Sequence, residues 1–187
     1  AAPSSINYNP SSLTLTIDSE MTSVTPTASG GVVQTWSISP TLPSGLSFGQ
    51  SNGTIYGTPT LISTSATYTV TANNAGGSGT ATVTIQVNDI APNTIIYSPS
   101  SLSLTKNSPM NPVTPTSLGG DVITWTISPA LPNGVVIDSS TGKISGTPTS
   151  VTSSASYTVT AENSGGSATA VLTIEVNLAP PSSITYN

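Results

Sequence analysis

Catalysis and metal binding need side chains that titrate, coordinate or attack, and this 187-residue chain has few of them. Nine residues are charged: Lys106 and Lys143, and the acids Asp18, Glu20, Asp89, Asp121, Asp138, Glu162 and Glu175. His, Cys and Arg are absent. Imidazole acid–base chemistry, thiol nucleophiles, Cys/His metal sites and disulfides are therefore chemically out of reach. Nucleophiles of one kind abound, with 33 Ser and 32 Thr, but no conspicuous base exists to activate a hydroxyl. A net charge of −5 with only two cations cannot neutralise a phosphate backbone, which excludes nucleic acid as a partner. No cofactor is expected.

The spacing of the acids makes catalysis less plausible still. Shifted by 89 positions, the chain aligns on itself without a gap, with 51 identities in 89 pairs. Tyr8 meets Tyr97, Trp36 meets Trp125, Tyr68 meets Tyr157 and Pro59 meets Pro148. The seven acids, however, face Asn107, Pro109, Leu178, Val32, Gly49, Asn73 and Gln86. A duplicated active or metal site would keep its carboxylates in at least one matched pair, and none is kept. Lys106 and Lys143 face Ile17 and Thr54, so a Lys-based nucleophile or an isopeptide cross-link fails on the same ground. The chain is not expected to be an enzyme.

The elements that position these residues read as strands. Leu13-Thr14-Leu15-Thr16-Ile17, Tyr68-Thr69-Val70-Thr71-Ala72 and Ala81-Thr82-Val83-Thr84-Ile85-Gln86-Val87 alternate apolar and polar with period two. Such strands put one face on a core and one in water, and Thr suits the wet face because its β-branch favours extended backbone. Gly-Gly pairs and Pro-rich breaks punctuate the runs, and no window has helical spacing. About seven short strands in 89 residues predict an all-β fold. The expected architecture is two tandem Ig-like (cadherin-like) antiparallel sandwiches joined by a short linker. Trp36, Trp125, Tyr68 and Tyr157 are the expected core anchors.

One segment carries a family signature. Leu42-Pro43-Ser44-Gly45-Leu46-Ser47-Phe48 and Gly53-Thr54-Ile55-Tyr56-Gly57-Thr58-Pro59 return as Leu131-Pro132-Asn133-Gly134-Val135-Val136-Ile137 and Gly142-Lys143-Ile144-Ser145-Gly146-Thr147-Pro148. With the later Tyr-Thr-Val-Thr-Ala and Asn-x-Gly-Gly, this resembles the He_PIG type of Ig-like repeat. The resemblance implies sandwich modules arrayed in tandem on large prokaryotic surface proteins, and it implies no reaction.

Four binding or modification sites can be weighed. Asn88 and Asp89 sit in a linker that resembles that of cadherins, but calcium wants several carboxylates and the second linker, Val176-Asn177-Leu178-Ala179-Pro180, has none. Tyr56 faces Ser145 across the repeat, so the core does not need an aromatic there and a sugar ring could stack on it. The hydroxyl-rich surface has two readings, β-propensity with solubility, or O-glycosylation. If it is modified, alternation selects Thr69, Thr71, Thr82 and Thr84 in the first repeat and Thr158, Thr160 and Thr173 in the second. Asn52-Gly53-Thr54 is an N-linked sequon that the second repeat lacks.

The expected organisation is one sandwich over 1–89, a second over 90–178, and over 179–187 a linker with the first strand of a third. Pro181-Ser182-Ser183-Ile184-Thr185-Tyr186-Asn187 nearly copies Pro3–Asn9. This tail is either a remnant of a third repeat or a strand that pairs with a neighbouring subunit. The expected function is structural, as a module of an extracellular filament, surface layer or adhesin stalk, extracellular or on the cell surface. Such modules form a semi-rigid series in which each unit adds about 35–40 Å. The expected partners are neighbouring repeats or identical subunits head to tail, and glycans. No run of about 20 apolar residues is present to span a membrane. The alternative function is a carbohydrate-binding or adhesion module of a larger secreted protein.

Overall fold

A computed structural model describes residues 1–181 of the chain. The terminal segment singled out above, from Ser182 onward, lies outside the described residues. Two compact units separate at Asp89/Ile90.

Unit 1 contains β1 (Pro3–Asn7), β2 (Ser12–Thr16), β3 (Thr27–Gly30), β4 (Thr35–Ser39), β5 (Leu46–Phe48), β6 (Ile55–Gly57), β7 (Ser63–Asn74) and β8 (Gly77–Asn88). Unit 2 contains β9 (Pro92–Ile96), β10 (Ser101–Thr105), β11 (Thr116–Gly119), β12 (Thr124–Ser128), β13 (Val135–Ile137), β14 (Ile144–Gly146), β15 (Thr152–Asn163) and β16 (Gly166–Asn177). Every strand of unit 2 starts and ends 89 positions after its counterpart, so the sequence repeat is a structural repeat. All regular elements among the described residues are strands.

One layer of unit 1 is a four-stranded sheet in the order β2-β8-β7-β4. The other is made of two ladders, β1–β3 and β5–β6, tied by the bridge Val24↔Ile55. Unit 2 repeats this as β10-β16-β15-β12 facing β9–β11 and β13–β14, with the bridge Val113↔Ile144.

Two features differ from the plain antiparallel sandwich. The first strand is broken in two, giving eight strands per unit instead of about seven. Pro10, which has no N–H to extend the β1–β3 ladder, follows a cis bond from Asn9, and beyond it the chain crosses to the other layer as β2. The second feature follows from that crossing, since β2 lies parallel to β8 while all other ladders of the unit are antiparallel.

Alternation places the core between the layers. Tyr68, Val70 and Ala72 of β7, Val83 and Ile85 of β8, Leu13 of β2 and Trp36 of β4 pack with Tyr8, Met21, Val24 and Ile55 from the opposite layer. The second core uses the matching set around Trp125, Tyr157, Val159, Ala161, Leu172 and Ile174. Each unit thus buries its own cluster of mostly aliphatic side chains, the main favourable term in its folding.

Candidate functional site

The residues expected as core anchors lie inside: Trp36 is 7% exposed, Trp125 5%, Tyr68 5% and Tyr157 5%. What the sequence did not reveal is how the Trp is held. Gly53, at φ +72°, lies so close to the Trp36 ring that a Cβ there would come within 2.9 Å of it and 2.7 Å of Pro26. The carbonyl of the same Gly53 accepts a bond of 2.5 Å from the Tyr8 hydroxyl. Gly142 repeats the arrangement with Trp125, Pro115 and the Tyr97 hydroxyl. Burial pushes the Tyr8 phenol up from its ordinary value, and pushes that of Tyr97 up to about 12. The repeated Gly-x-Ile-x-Gly-Thr-Pro run is therefore a packing device, its first Gly serving as floor for an indole and acceptor for a phenol.

The acids mostly shape turns and ladders. Asp18, at φ +58°, and Asn107, at φ +60°, occupy the same left-handed turn position, which Asp and Asn tolerate better than other non-Gly residues. The Asp138 carboxylate accepts from the Ser140 hydroxyl at 2.6 Å and from the amides of Ser140 and Thr141 at 2.8 and 3.1 Å. The Ser140 hydroxyl bond, then those amide bonds, hold its pKa below the ordinary carboxylate value. Glu175 accepts from the Ser103 hydroxyl at 2.6 Å across the β10–β16 ladder and from Asn177 Nδ2 at 3.1 Å.

For the linker pair, Asn88 closes β8. Its Oδ1 accepts from Gln86 Nε2 at 2.6 Å and its carbonyl accepts from the Ile17 amide at 2.9 Å. Asp89 is half-buried. Among the described residues no three carboxylates converge on a point where a metal ion could sit.

The outer face of the four-stranded sheet is a field of hydroxyls in register. Across unit 1 the rows read Ser39–Thr69–Thr82, Ser37–Thr71–Thr80 and Thr67–Thr84–Ser12. Unit 2 reads Ser128–Thr158–Val171, Thr126–Thr160–Thr169 and Ser156–Thr173–Ser101. Of the seven candidate Thr residues, Thr69, Thr82 and Thr158 are exposed, whereas Thr71, Thr84, Thr160 and Thr173 are half-buried.

Tyr56 is 45% exposed on β6, opposite Ser47. Asn52 is exposed, but its Oδ1 accepts from the Thr54 amide at 3.1 Å, and Thr54 is buried with its hydroxyl 2.9 Å from that of Thr25. The sequon is thus folded into a turn.

A further pair of residues escaped the sequence reading. Asn163 is 7% exposed at the β15–β16 turn, and its carboxamide makes four bonds. Nδ2 donates to the Ile90 and Asp121 carbonyls at 2.6 and 2.9 Å, and Oδ1 accepts from the Gly165 and Gly166 amides at 2.8 and 3.2 Å. Asn74 does the same in unit 1 with the Ala1 and Val32 carbonyls and the Gly76 amide. The repeated Asn-x-Gly-Gly was the available signal. It marks the clamp that ties the start of each unit to the turn between its two longest strands.

These geometries agree with what the chain is similar to. The "Serine-rich adhesin for platelets" of Staphylococcus aureus strain MRSA252 is 36% identical over 137 residues, covering 72% of this chain and 10% of that protein. Its counterpart in strain USA300 matches at the same identity over 6% of its length. The chain thus spans a tenth or less of these curated relatives. Among solved structures, "Drosophila OTK, extracellular domains 3-5" superposes with a TM-score of 0.53 at 20% identity, covering 92% of this chain and 62% of that one, a likeness of fold. The profile of the He_PIG family, described as "Putative Ig domain", matches residues 2–88 and again 92–177. The chain belongs to that family, as two tandem Ig-like domains.

Proposed function

We infer that the chain is a pair of structural modules of an adhesin-type protein displayed on the cell surface or secreted, without catalysis of its own. One observation carries this reading. The residues shared by the two units (Trp36/Trp125, Gly53/Gly142, Tyr8/Tyr97, Asn74/Asn163) are those that hold the scaffold, while the charged residues differ at every matched position. The match to serine-rich adhesins over most of this chain supports it. In this role the modules act as spacers, carrying a binding region away from its anchor as part of a stalk, filament or surface layer. Domains over 1–89 and 90–178 are the units of that series. The partners are then further repeats or identical subunits.

The hydroxyl face suits a glycan carrier, because sugars would supply the hydration that nine charged residues cannot. Thr69, Thr82 and Thr158 are the sites of choice, being the exposed members of the candidate set. Intact-mass measurement of native material tests this: a mass above that of the bare chain is expected, and the bare mass rejects it. Immunogold labelling of intact cells tests the placement, with label outside the envelope expected.

The exposed ring of Tyr56 favours a second reading, a module that itself binds carbohydrate. Saturable binding on a glycan array that is lost in Tyr56→Ala would establish it, and silence across the array would leave the spacer role.

A further inference from the structure

In each unit the second strand and the last form a parallel ladder, which the chain reaches only after its first strand and leaves at the far end. β2 runs beside β8 from Ser12↔Thr84 to Thr16↔Asn88, and β10 beside β16 from Ser101↔Thr173 to Thr105↔Asn177. Backbone bonds close both ends of each ladder. The Thr84 amide donates to the Ser11 carbonyl and the Ile17 amide to the Asn88 carbonyl, each at 2.9 Å. In unit 2 the Thr173 amide donates to the Ser100 carbonyl at 2.9 Å and the Lys106 amide to the Asn177 carbonyl at 2.8 Å.

The direction of these strands has a mechanical consequence. β2 and β8 point the same way, as do β10 and β16, so tension that passes the short β1–β3 or β9–β11 ladder draws each pair in opposite directions along their own axes. All the bonds of the ladder are then loaded together. Pulled apart from one end, the same ladder would fail one bond at a time, and a single net hydrogen bond contributes only about 0.5–1.5 kcal/mol.

Unit 2 adds side chains to the ladder. The Glu175 carboxylate on β16 holds the Ser103 hydroxyl on β10, and Asn177 Nδ2 reaches both, at 3.2 Å to Ser103 Oγ and 3.1 Å to Glu175 Oε1. The charged acceptor makes the two bonds to Glu175 stronger than neutral ones. In unit 1 the same three positions hold Thr14, Gln86 and Asn88, and the Gln86–Asn88 bond runs along β8 instead of across to β2. Asn163 adds a second hold on the entering chain through the Ile90 carbonyl.

We propose that these modules are built to bear tension, with the parallel ladder of each unit acting as a clamp loaded in shear and the Ser103–Glu175–Asn177 network reinforcing the clamp of unit 2. The inference rests on the spacer reading for its biological use, since a stalk transmits load and a soluble binding module does not. The clamp itself is a property of one unit.

The absence of Cys lets a pair of introduced thiols define where the full chain is pulled. One variant carries Ser101→Cys with Leu178→Cys, gripping β10 and β16 at opposite ends of their ladder. The other carries Ser101→Cys with Val171→Cys, gripping both strands at the same end. All three positions are exposed, and β10–β16 register places Val171 two residues before the partner of Ser101. In single-molecule force spectroscopy, each should release about 25 nm of chain when unit 2 opens. The opposite-end pair should require roughly twice the force of the same-end pair or more, because its bonds fail together.

Equal forces, or a lower force for the opposite-end pair, would overturn the clamp. Adding Glu175→Ala should lower the opposite-end force and leave the same-end force unchanged, and a fall in both by the same ratio would remove the network from the clamp. Equal forces in a protein that labels at the cell surface would end this inference and leave the spacer reading standing. A large difference in a protein absent from the surface would do the reverse.

Discussion

Gly142 shows how much one residue without a side chain can decide. It sits at φ +70°, its carbonyl accepts from Tyr97, and a Cβ placed there would fall 2.6 Å from a ring carbon of Trp125. Gly142→Ala therefore combines backbone strain with overpacking. It is expected to cost about 2–3 kcal/mol, read as a drop of roughly 10 °C or more in the melting of unit 2. The phenol above it makes a separate prediction. The folded pKa of Tyr97 lies near 12, above its ordinary 10.0, because burial disfavours the phenolate. Its contribution is therefore complete below about pH 10 and is lost as pH rises through about 12. Urea titrations across this alkaline window should show stability falling with pH, with a shallower slope in Tyr97→Phe.

Between residue and fold stand the elements, and the turn between the two longest strands is the most constrained of them. Asn163 binds two carbonyls and two amides at once. Truncating it to Ala removes four hydrogen bonds, each with a net contribution of about 0.5–1.5 kcal/mol. Asn163→Ala should destabilise unit 2 by about 2–4 kcal/mol, checked by chemical denaturation. Asn163→Asp should lose less, because its oxygens still accept from Gly165 and Gly166 while the donors are gone. Hydrogen exchange should show the difference locally, with the amides of Gly165 and Gly166 exchanging faster in Asn163→Ala and staying protected in Asn163→Asp.

At the largest scale, the described residues build two cores that share no buried residue, one around Trp36 and one around Trp125. Trp125→Ala should remove about 3–5 kcal/mol from unit 2, a large share of the stability of a domain this size, and leave the transition of unit 1 in place. Calorimetry would then show one transition shifted and one retained, and a common shift of both would mean that the units fold as one. Chelation should change neither. Calcium needs six to eight oxygens, and the linker acid Asp89 faces Leu178 in the repeat, so EDTA or millimolar calcium is expected to leave both melting temperatures where they are.

Sequence alone determined the all-β class, the 89-residue period and the identity of the buried aromatics, because these are written locally, in alternation and in what a duplicated scaffold retains. It also showed that no charged residue is repeated, the fact on which the functional reading rests. The tertiary structure decided the rest. Nothing local indicates that β2 leaves its neighbour β1 and pairs in parallel with β8, since that choice depends on which edge is open about 70 residues away. The half-burial of Thr71, Thr84, Thr160 and Thr173 was equally hidden, because alternation assigns a side chain to a face but does not say how crowded that face is. Asn163 and Gly142 stand in the repeated Asn-x-Gly-Gly and Gly-x-Ile-x-Gly-Thr-Pro runs, and only the approach of Ile90, Trp125 and Tyr97 through space made them points that hold the second sandwich closed.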